Sequence, residues 1–135
     1  MDQQIFDHVT LLVTHYNRSR SLARLLQAFK DQAITFGDIV VSDDSSQPEH
    51  LDKLHELKSE FNYRLITTPV NRGLGNNINK GQDAVQTSYT LYVQEDFEPT
   101  PAFADHFKDA LHFLEEDKSL DIARLYAYFK YPYSK

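Results

Sequence analysis

Acidic side chains cluster just after an apolar segment in the second half of the sequence. Residues 91–93, Leu-Tyr-Val, are followed by Glu95, Asp96 and Glu98, and then by two prolines that prevent a strand from continuing. Grouped carboxylates repel one another unless they are solvated or share a cation, and a site made of oxygen ligands suits Mg²⁺ or Mn²⁺. Taken alone, these residues favour a solvated polar loop slightly over a metal site.

A second acidic pair follows the apolar segment 39–41. There the sequence Ser-Asp-Asp-Ser-Ser places Asp43 and Asp44 close to Ser46. A carboxylate at the end of a buried strand can accept hydrogen bonds from a nucleobase or from ribose hydroxyls. It can equally stabilise the turn before a helix, and Ser46 with Glu49 has the spacing of a capping box. The pair is therefore compatible with nucleotide binding and with a structural turn.

Two more loops carry side chains suited to a nucleotide. Thr14, Tyr16 and Arg18 follow the apolar run 9–13, and a tyrosine ring can stack on a base while a guanidinium pairs with phosphate. Arg72 precedes a glycine in the loop before another predicted helix, where backbone N–H groups also approach anions. This glycine pattern is neither a dinucleotide fingerprint nor a P-loop, so it identifies no ligand by itself.

Short apolar runs alternate with amphipathic segments along the chain, and this alternation predicts an α/β fold. The predicted architecture is Rossmann-like, a mainly parallel sheet with helices on both faces. In such sheets ligands bind outside the carboxyl ends of the strands, so the loops 14–18, 43–46 and 94–98 are expected at one edge. The predicted strands are residues 9–13, 39–41, 63–67, 89–93 and 122–128, and the fourth predicted helix is 101–117.

Composition argues against several classes of protein. The chain of 135 residues is long enough for one domain but short for two, and its net charge of −6 argues against binding nucleic acid or anionic membranes. Without cysteine it has no disulfide, thiolate metal site or thiol nucleophile. The six histidines lack the spacing of a metal-binding pair and are interpreted as surface or partly packed residues. No apolar run approaches the ~20 residues of a transmembrane helix, so we expect a cytoplasmic protein, with any membrane contact made by parts outside this chain.

The order of these motifs resembles the family-two glycosyltransferases of the GT-A fold. Residues 9–18 are similar to the family's first strand and Thr-x-Tyr-Asn-Arg loop, and residues 39–46 to its second strand and Asp-Asp-Gly-Ser signature. Residues 71–96 are similar to its Asn-x-Gly loop, helix and strand ending in the Asp-x-Asp metal motif. The resemblance implies a truncated GT-A fold in which residues 1–135 form a single nucleotide-sugar-binding domain, the N-terminal part of a larger catalytic domain.

The resemblance also implies a role for the candidate residues. One group would contact the base and ribose, and another, at the end of the fourth strand, would hold a divalent cation, Mn²⁺ or Mg²⁺. The cation bridges the diphosphate and stabilises the leaving nucleotide. By this resemblance Thr14 and Tyr16 contact the base, and Asp44, with Asp43 beside it, binds uracil or ribose. Arg72 approaches the base or the diphosphate. Asp96, with Glu95, binds the metal.

The implied reaction is the transfer of a sugar from a nucleotide-diphosphate donor, above all a UDP-sugar, to an acceptor hydroxyl with inversion. The implied acceptor is a glycan or a lipid-linked molecule, as in polysaccharide biosynthesis. No catalytic residue is identified in this chain, because the family's general base lies beyond the metal motif and is expected beyond Lys135. The fragment is therefore expected to be incomplete for catalysis.

Two departures from the family pattern keep other hypotheses open. Gln94 stands where the first acid of Asp-x-Asp is usual, and Ser45 replaces the glycine of Asp-Asp-Gly-Ser, a mild change if no positive φ is needed there. A non-catalytic nucleotide-binding or interaction module with the same fold is therefore an alternative. A phosphoryl-accepting receiver-like domain is a weaker one, because its acidic pair should follow the first strand, where this chain has His15 and Tyr16.

Overall fold

Four parallel strands form the main sheet. The computed structural model describes residues 3–117 and 129–130 of the chain. The strands lie in the order β3-β2-β1-β4, so the prediction of a mainly parallel, Rossmann-like sheet is confirmed. Their bounds are β1 (Gln4–His15), β2 (Ile34–Asp43), β3 (Arg64–Ile66) and β4 (Tyr89–Gln94).

Helices cover both faces of this sheet, as predicted. Helices α1 (Ser19–Asp31) and α2 (Pro48–Phe61) contact each other, and α3 (Leu74–Gln82) contacts β1 and β2. Gly81 of α3 lies against Leu12 of β1, whose side chain would collide with an added Cβ. Glycine therefore lets this helix approach the sheet closely. Within the described part of the chain, no helix is both long and apolar enough to cross a membrane.

The buried core is built around β1, the central strand. Residues 9–13 are fully buried, as expected for a parallel strand covered on both faces. Helix α1 buries four apolar side chains at the i, i+3, i+4 and i+7 spacing that the sequence predicts. They are Leu22, Leu25, Leu26 and Phe29.

Strand β1 is longer than predicted, because residues 4–6 pair with residues 34–36 of β2 ahead of the apolar run. The pairing register shifts after Phe6. Beside this irregularity, a Cβ on Gly37 would collide with the backbone carbonyl of Asp7. Glycine thus permits two backbones to meet closely here, and hydrophobic periodicity carries no signal for such a contact.

The chain divides into two compact units, residues 1–96 and residues 97–135, and the four-stranded sheet belongs to the first. The predicted strand 122–128 lies outside the described residues. The expectation of a single domain over residues 1–135 stays a prediction.

Among the described residues of the second unit, 97–117 and 129–130, the structure has one helix and a short strand pair. Strand β5 (Glu98–Pro99) pairs antiparallel with β6 (Phe129–Lys130), a pairing that the sequence did not predict. Helix α4 (Phe103–Glu116) agrees with the fourth predicted helix. Phe103 is fully buried, and its ring stacks on that of Phe107 with centroids 5.4 Å apart.

Candidate active site

The carboxyl ends of β1, β2 and β4 lie side by side at one edge of the sheet. Thr14 of β1 pairs with Ser42 of β2 and with Gln94 of β4, and His15 pairs with Asp43. The loops that follow these strands therefore start from neighbouring positions, as the sequence predicts.

Asp43 anchors the centre of this edge. Its side chain is completely buried, with Oδ1 2.7 Å from Nδ1 of His15. Ser46 donates its hydroxyl to Oδ1 at 2.5 Å and its backbone N–H to Oδ2 at 2.9 Å. Burial alone would raise the pKa of Asp43, but the hydrogen bonds from His15 and Ser46 outweigh burial and lower this pKa. Asp43 is therefore a buried anion held by the protein rather than a group open to solvent.

The capping box predicted for α2 is wrong. The N-cap residue is Gln47, which makes no side-chain capping bond, and Pro48 occupies the first helical turn. Ser46 does not cap the helix because its hydroxyl oxygen accepts the backbone N–H of Asn17 at 2.9 Å, while its proton goes to Asp43. Contacts of Ser46 outside the helix therefore replace the cap that the local sequence pattern predicts.

His15 lies buried next to Asp43, so its interpretation as a surface or partly packed residue is wrong. Only 1% of the residue is exposed. Nδ1 faces Asp43, and Nε2 accepts the backbone N–H of Arg18 at 3.1 Å. The alternation of side chains along a strand was the available signal, because positions 9, 11, 13 and 15 share one face and the first three are apolar.

Asp44 binds the loop that precedes α3. Its Oδ1 accepts the backbone N–H of Arg72 at 2.8 Å, and its Oδ2 accepts that of Gly73 at 2.9 Å. The side-chain amide of Asn71 donates to the Asp44 carbonyl at 3.3 Å. The structure thus joins two predicted site residues, Asp44 and Arg72, through a backbone contact.

Ser45 has a left-handed backbone conformation, with φ of 61°. The change from glycine to serine at this position of the motif is therefore not mild, since an L-residue is strained there. The Ser45 hydroxyl donates to the carbonyl of Pro69 at 3.2 Å. This bond compensates for part of the strain.

Thr14 and Tyr16 occupy different environments. Thr14 is buried, and its hydroxyl lies 2.9 Å from that of Tyr92. Burial raises the pKa of Tyr92 above its ordinary value. Tyr16 is 43% exposed. Of the two predicted base-binding residues, Tyr16 therefore has the side chain open to a ligand.

Arg18 faces the two acids that follow β4. Its guanidinium lies 3.8 Å from Oε1 of Glu95 and 3.6 Å from Oδ2 of Asp96. The Glu95 side chain is only 13% exposed, and burial, together with the charge of Asp96, raises its pKa. Gln94 is exposed, and Glu98 belongs to the second unit. One cationic and two anionic side chains thus meet at the β1–β4 end of the edge.

The donor atoms at this end fit one mode of divalent-cation binding. In nucleotide sites, Mg²⁺ is commonly held by one or two carboxylates together with phosphate oxygens and water. Glu95 and Asp96 supply two carboxylates. No three acidic, histidine or cysteine side chains among the described residues are grouped for a metal ion. A cation bound here would therefore need further ligands from a diphosphate.

A cavity of about 480 Å³ opens beside the Arg72 loop, toward the β3 side of the sheet. In its wall, Lys80 donates from Nζ to the carbonyl of Asp43 and to the hydroxyl of Thr68, both at 2.5 Å. Burial lowers the pKa of Lys80, and the nearby charges of Asp43 and Asp44 oppose this change. The lining residues are Thr67, Thr68, Pro69, Arg72, Asn76, Asn79, Lys80 and Asp83.

Residues 10–134 match the family described as glycosyl transferase family 2. The chain belongs to this family. The match includes every candidate residue of the edge, from Thr14 to Asp96. No curated protein matches the sequence of this family 2 chain.

Solved glycosyltransferase structures share the fold of this family 2 chain. The structure of TarS 1-349 of S. aureus superposes with a TM-score of 0.64 and 23% identity over 80% of the chain. The structure of TarS 1-349 in complex with UDP-GlcNAc gives the same values. The mannosyltransferase PcManGT of Pyrobaculum calidifontis, in complex with GDP-Man and Mn²⁺, gives a TM-score of 0.61 and 19% identity over 84% of the chain. The chain spans 32% of TarS 1-349 and 35% of PcManGT. The family and GT-A fold expected from the sequence are confirmed.

Proposed function

We propose that this chain forms the donor-binding half of a glycosyltransferase that uses a nucleotide-diphosphate sugar, in the first place a UDP-sugar. The candidate residues follow the ends of β2, β1 and β4, which span two strand spacings, about 10 Å at ~4.8 Å each. That span suits an extended nucleoside diphosphate lying along the carboxyl edge of the sheet. The observation that carries the proposal is the placing of Asp44 with Arg72 at one end and Arg18 with two acids at the other.

The nucleoside is proposed to bind toward Asp44 and Arg72. The exposed ring of Tyr16 offers a stacking surface for the base, while the buried Thr14 supports the strand end next to it. Each carboxylate oxygen of Asp44 keeps a second lone pair beyond the one used by the backbone, so it can still accept from a base or ribose.

The diphosphate is proposed to bind toward Arg18, Glu95 and Asp96. A guanidinium can form two parallel hydrogen bonds to phosphate oxygens, so Arg18 would turn from the carboxylates to the diphosphate. Asp96, with Glu95, would then hold a divalent cation, Mn²⁺ or Mg²⁺. A bound cation supplies positive charge that stabilises the leaving diphosphate.

The proposed reaction is a direct displacement with inversion at the anomeric carbon of the donor. The acceptor hydroxyl, on a glycan or lipid-linked molecule, forms the new glycosidic bond as the bond to the nucleoside diphosphate breaks. The hydroxyl proton passes to a carboxylate general base, which we expect outside the described residues. This chain's own contribution is to hold the donor and to stabilise the departing nucleotide.

Titration calorimetry of the chain with UDP, in the presence and absence of Mn²⁺, tests the proposal. We expect UDP to bind more tightly with Mn²⁺, and GDP and ADP to bind more weakly than UDP. Asp96→Asn should abolish the effect of Mn²⁺. Asp52→Asn, an exposed change on α2, is the matched control and should leave it intact. Absence of UDP binding under both conditions would show that donor binding is wrongly assigned.

A nucleotide-binding module without transfer activity is the second candidate. Gln94 in place of an acid, and a guanidinium already facing the two remaining acids, favour it. Such a module would bind UDP equally well with and without Mn²⁺. A protein containing this chain would then transfer no sugar to an acceptor.

A further inference from the structure

We propose that His15 is a positioning residue of the donor site, held as the neutral Nδ1–H tautomer, that fixes the loop carrying Tyr16 and Arg18. The proposal rests on the donor-binding function proposed above. His15 stands at the unspecified position of the Thr-x-Tyr-Asn-Arg motif, so the motif assigns it no role.

The partners of His15 determine where its proton lies. The backbone N–H of Arg18 can only donate, so Nε2, 3.1 Å away, must accept. The proton of a neutral imidazole therefore sits on Nδ1, which donates to Oδ1 of Asp43 at 2.7 Å. A proton added to Nε2 would face the Arg18 N–H and break that bond. The ring thus joins β2 to the first turn of α1 in only one protonation state.

The same network holds the residue before Arg18. Ser46 donates its hydroxyl proton to Asp43 and accepts the backbone N–H of Asn17 at 2.9 Å. The side-chain carbonyl of Asn17 accepts the N–H of Gln47 at 2.7 Å. Two consecutive backbone donors, those of Asn17 and Arg18, are therefore captured by side chains that Asp43 orients.

The loop held in this way carries Tyr16 and Arg18, the two exposed residues after β1 that are proposed to contact the donor. Tyr16 immediately precedes the two captured N–H groups, and the Arg18 carbonyl accepts the first hydrogen bond of α1, from Leu22. Asn17 has a positive φ of 51°, a conformation that needs support from its surroundings. Loss of the His15 contact would release the backbone from which the Arg18 guanidinium reaches Glu95 and Asp96.

The cluster is not arranged for nucleophilic catalysis, although it contains serine, histidine and aspartate. Ser46 Oγ lies 3.2 Å from Nδ1 of His15, but that nitrogen donates to Asp43 and cannot take the hydroxyl proton, which also goes to Asp43. Nε2 of His15 already has a backbone partner. All three residues are buried. A serine nucleophile needs a free base and access to substrate, and neither condition is met.

Nitrogen-15 NMR of the imidazole in the full chain tests the tautomer. We expect Nδ1 to carry the proton and Nε2 to be unprotonated near neutral pH. The opposite tautomer, or a freely exchanging mixture, would overturn the proposal. This measurement requires no ligand, so it is decisive even if UDP does not bind and the donor function itself is wrong.

Three variants separate positioning from packing. His15→Phe keeps a ring but has no hydrogen-bonding atom, and His15→Gln can place a carbonyl near the Arg18 N–H. We expect His15→Phe to weaken UDP binding about tenfold, the equivalent of one hydrogen bond, and to accelerate amide exchange at Arg18. His15→Gln should restore much of the Arg18 protection. His55→Gln, on the exposed side of α2, is the control and should change neither quantity.

Unchanged UDP affinity and unchanged Arg18 exchange in His15→Phe would mean that the ring only fills space. If His15→Phe does not fold, His15→Gln and His15→Asn decide the matter. The asparagine amide can donate to Asp43 but is too short to reach Arg18. Equal Arg18 protection in both variants would therefore contradict the proposal.

Discussion

Oδ2 of Asp44 accepts the backbone N–H of Gly73 at 2.9 Å, and this bond ties the end of β2 to the start of α3. Gly73 has φ of 90° and ψ of 170°, a region that is essentially restricted to glycine. This conformation turns the chain into α3 directly after the two N–H groups that bind Asp44. Glycine is thus required here by the backbone and not by a lack of space, since an added Cβ would meet no atom within 4 Å.

Gly73→Ala should lower the free energy of unfolding by about 1–3 kcal/mol and should weaken UDP binding, because alanine is strained in this conformation. Gly75→Ala is the matched control. It lies one residue into α3, also with no atom within 4 Å of an added Cβ, and should stabilise by about 0.5–1 kcal/mol through helix propensity. Urea unfolding of both variants measures the difference. Equal effects would show that the conformation of Gly73 is not essential.

Asp44→Asn should reduce UDP affinity at least tenfold while the fold is retained. The amide keeps one acceptor oxygen but replaces the other with a donor, which opposes the N–H of either Arg72 or Gly73. We expect a loss of about 1–3 kcal/mol in the free energy of unfolding. Calorimetry with UDP and denaturant titration measure the two effects. The result is contradicted if Asp52→Asn, on the exposed face of α2, weakens binding as much.

Arg18→Gln should raise the affinity of the nucleotide-free protein for Mn²⁺ severalfold, because it removes a cation that faces Glu95 and Asp96. The Arg18 side chain is half-exposed, so the gain is on the order of 1 kcal/mol. The same change should weaken UDP binding, since a phosphate partner is lost. Electron paramagnetic resonance of free Mn²⁺ measures the first effect. Arg20→Gln, exposed on α1, controls for net charge, and equal Mn²⁺ affinity in both variants would contradict the prediction.

Stability should fall as the pH drops below about 4, in part through Asp43. The pKa of Asp43 is lowered in the folded protein, so its contribution is present above the unfolded value of about 3.9 and is lost as pH falls through the folded value. Asp43→Asn should cost about 2–4 kcal/mol at pH 7, because the buried partners are mismatched. It should also lose less stability than the natural chain between pH 5 and pH 3. Denaturant unfolding at each pH measures the free energy of unfolding of both proteins. The same pH dependence in Asp43→Asn and in the natural chain would rule out this role.

Ser45→Gly should be more stable than Ser45→Ala by about 1 kcal/mol. Both changes remove the hydrogen bond to Pro69, but only glycine relieves the strain of a φ of 61°. Comparing the two variants therefore isolates the backbone term. Thermal unfolding monitored by circular dichroism is sufficient, and equal midpoints would contradict the strained conformation.

The sequence by itself determined the order of strands and helices in the first unit, the buried face of α1 and the family. Apolar runs and amphipathic periods are local patterns, and parallel strands connected by helices leave few topologies. The rule that ligands bind at carboxyl strand ends then predicts that Thr14, Asp43 and Asp96 lie at one edge. The short β5–β6 pair was missed, because two-residue strands carry almost no periodic signal.

Only the tertiary structure decided what each side chain at that edge does. Asp43 and Asp44 are adjacent in sequence, yet one binds His15 and Ser46 while the other binds the backbone at Arg72 and Gly73. Several of these partners lie nearly 30 residues away, and composition and spacing do not rank contacts at such separations. The buried state of His15 follows from the same cause, because a buried imidazole needs a partner for each nitrogen and the partner of Nδ1, Asp43, is distant in sequence.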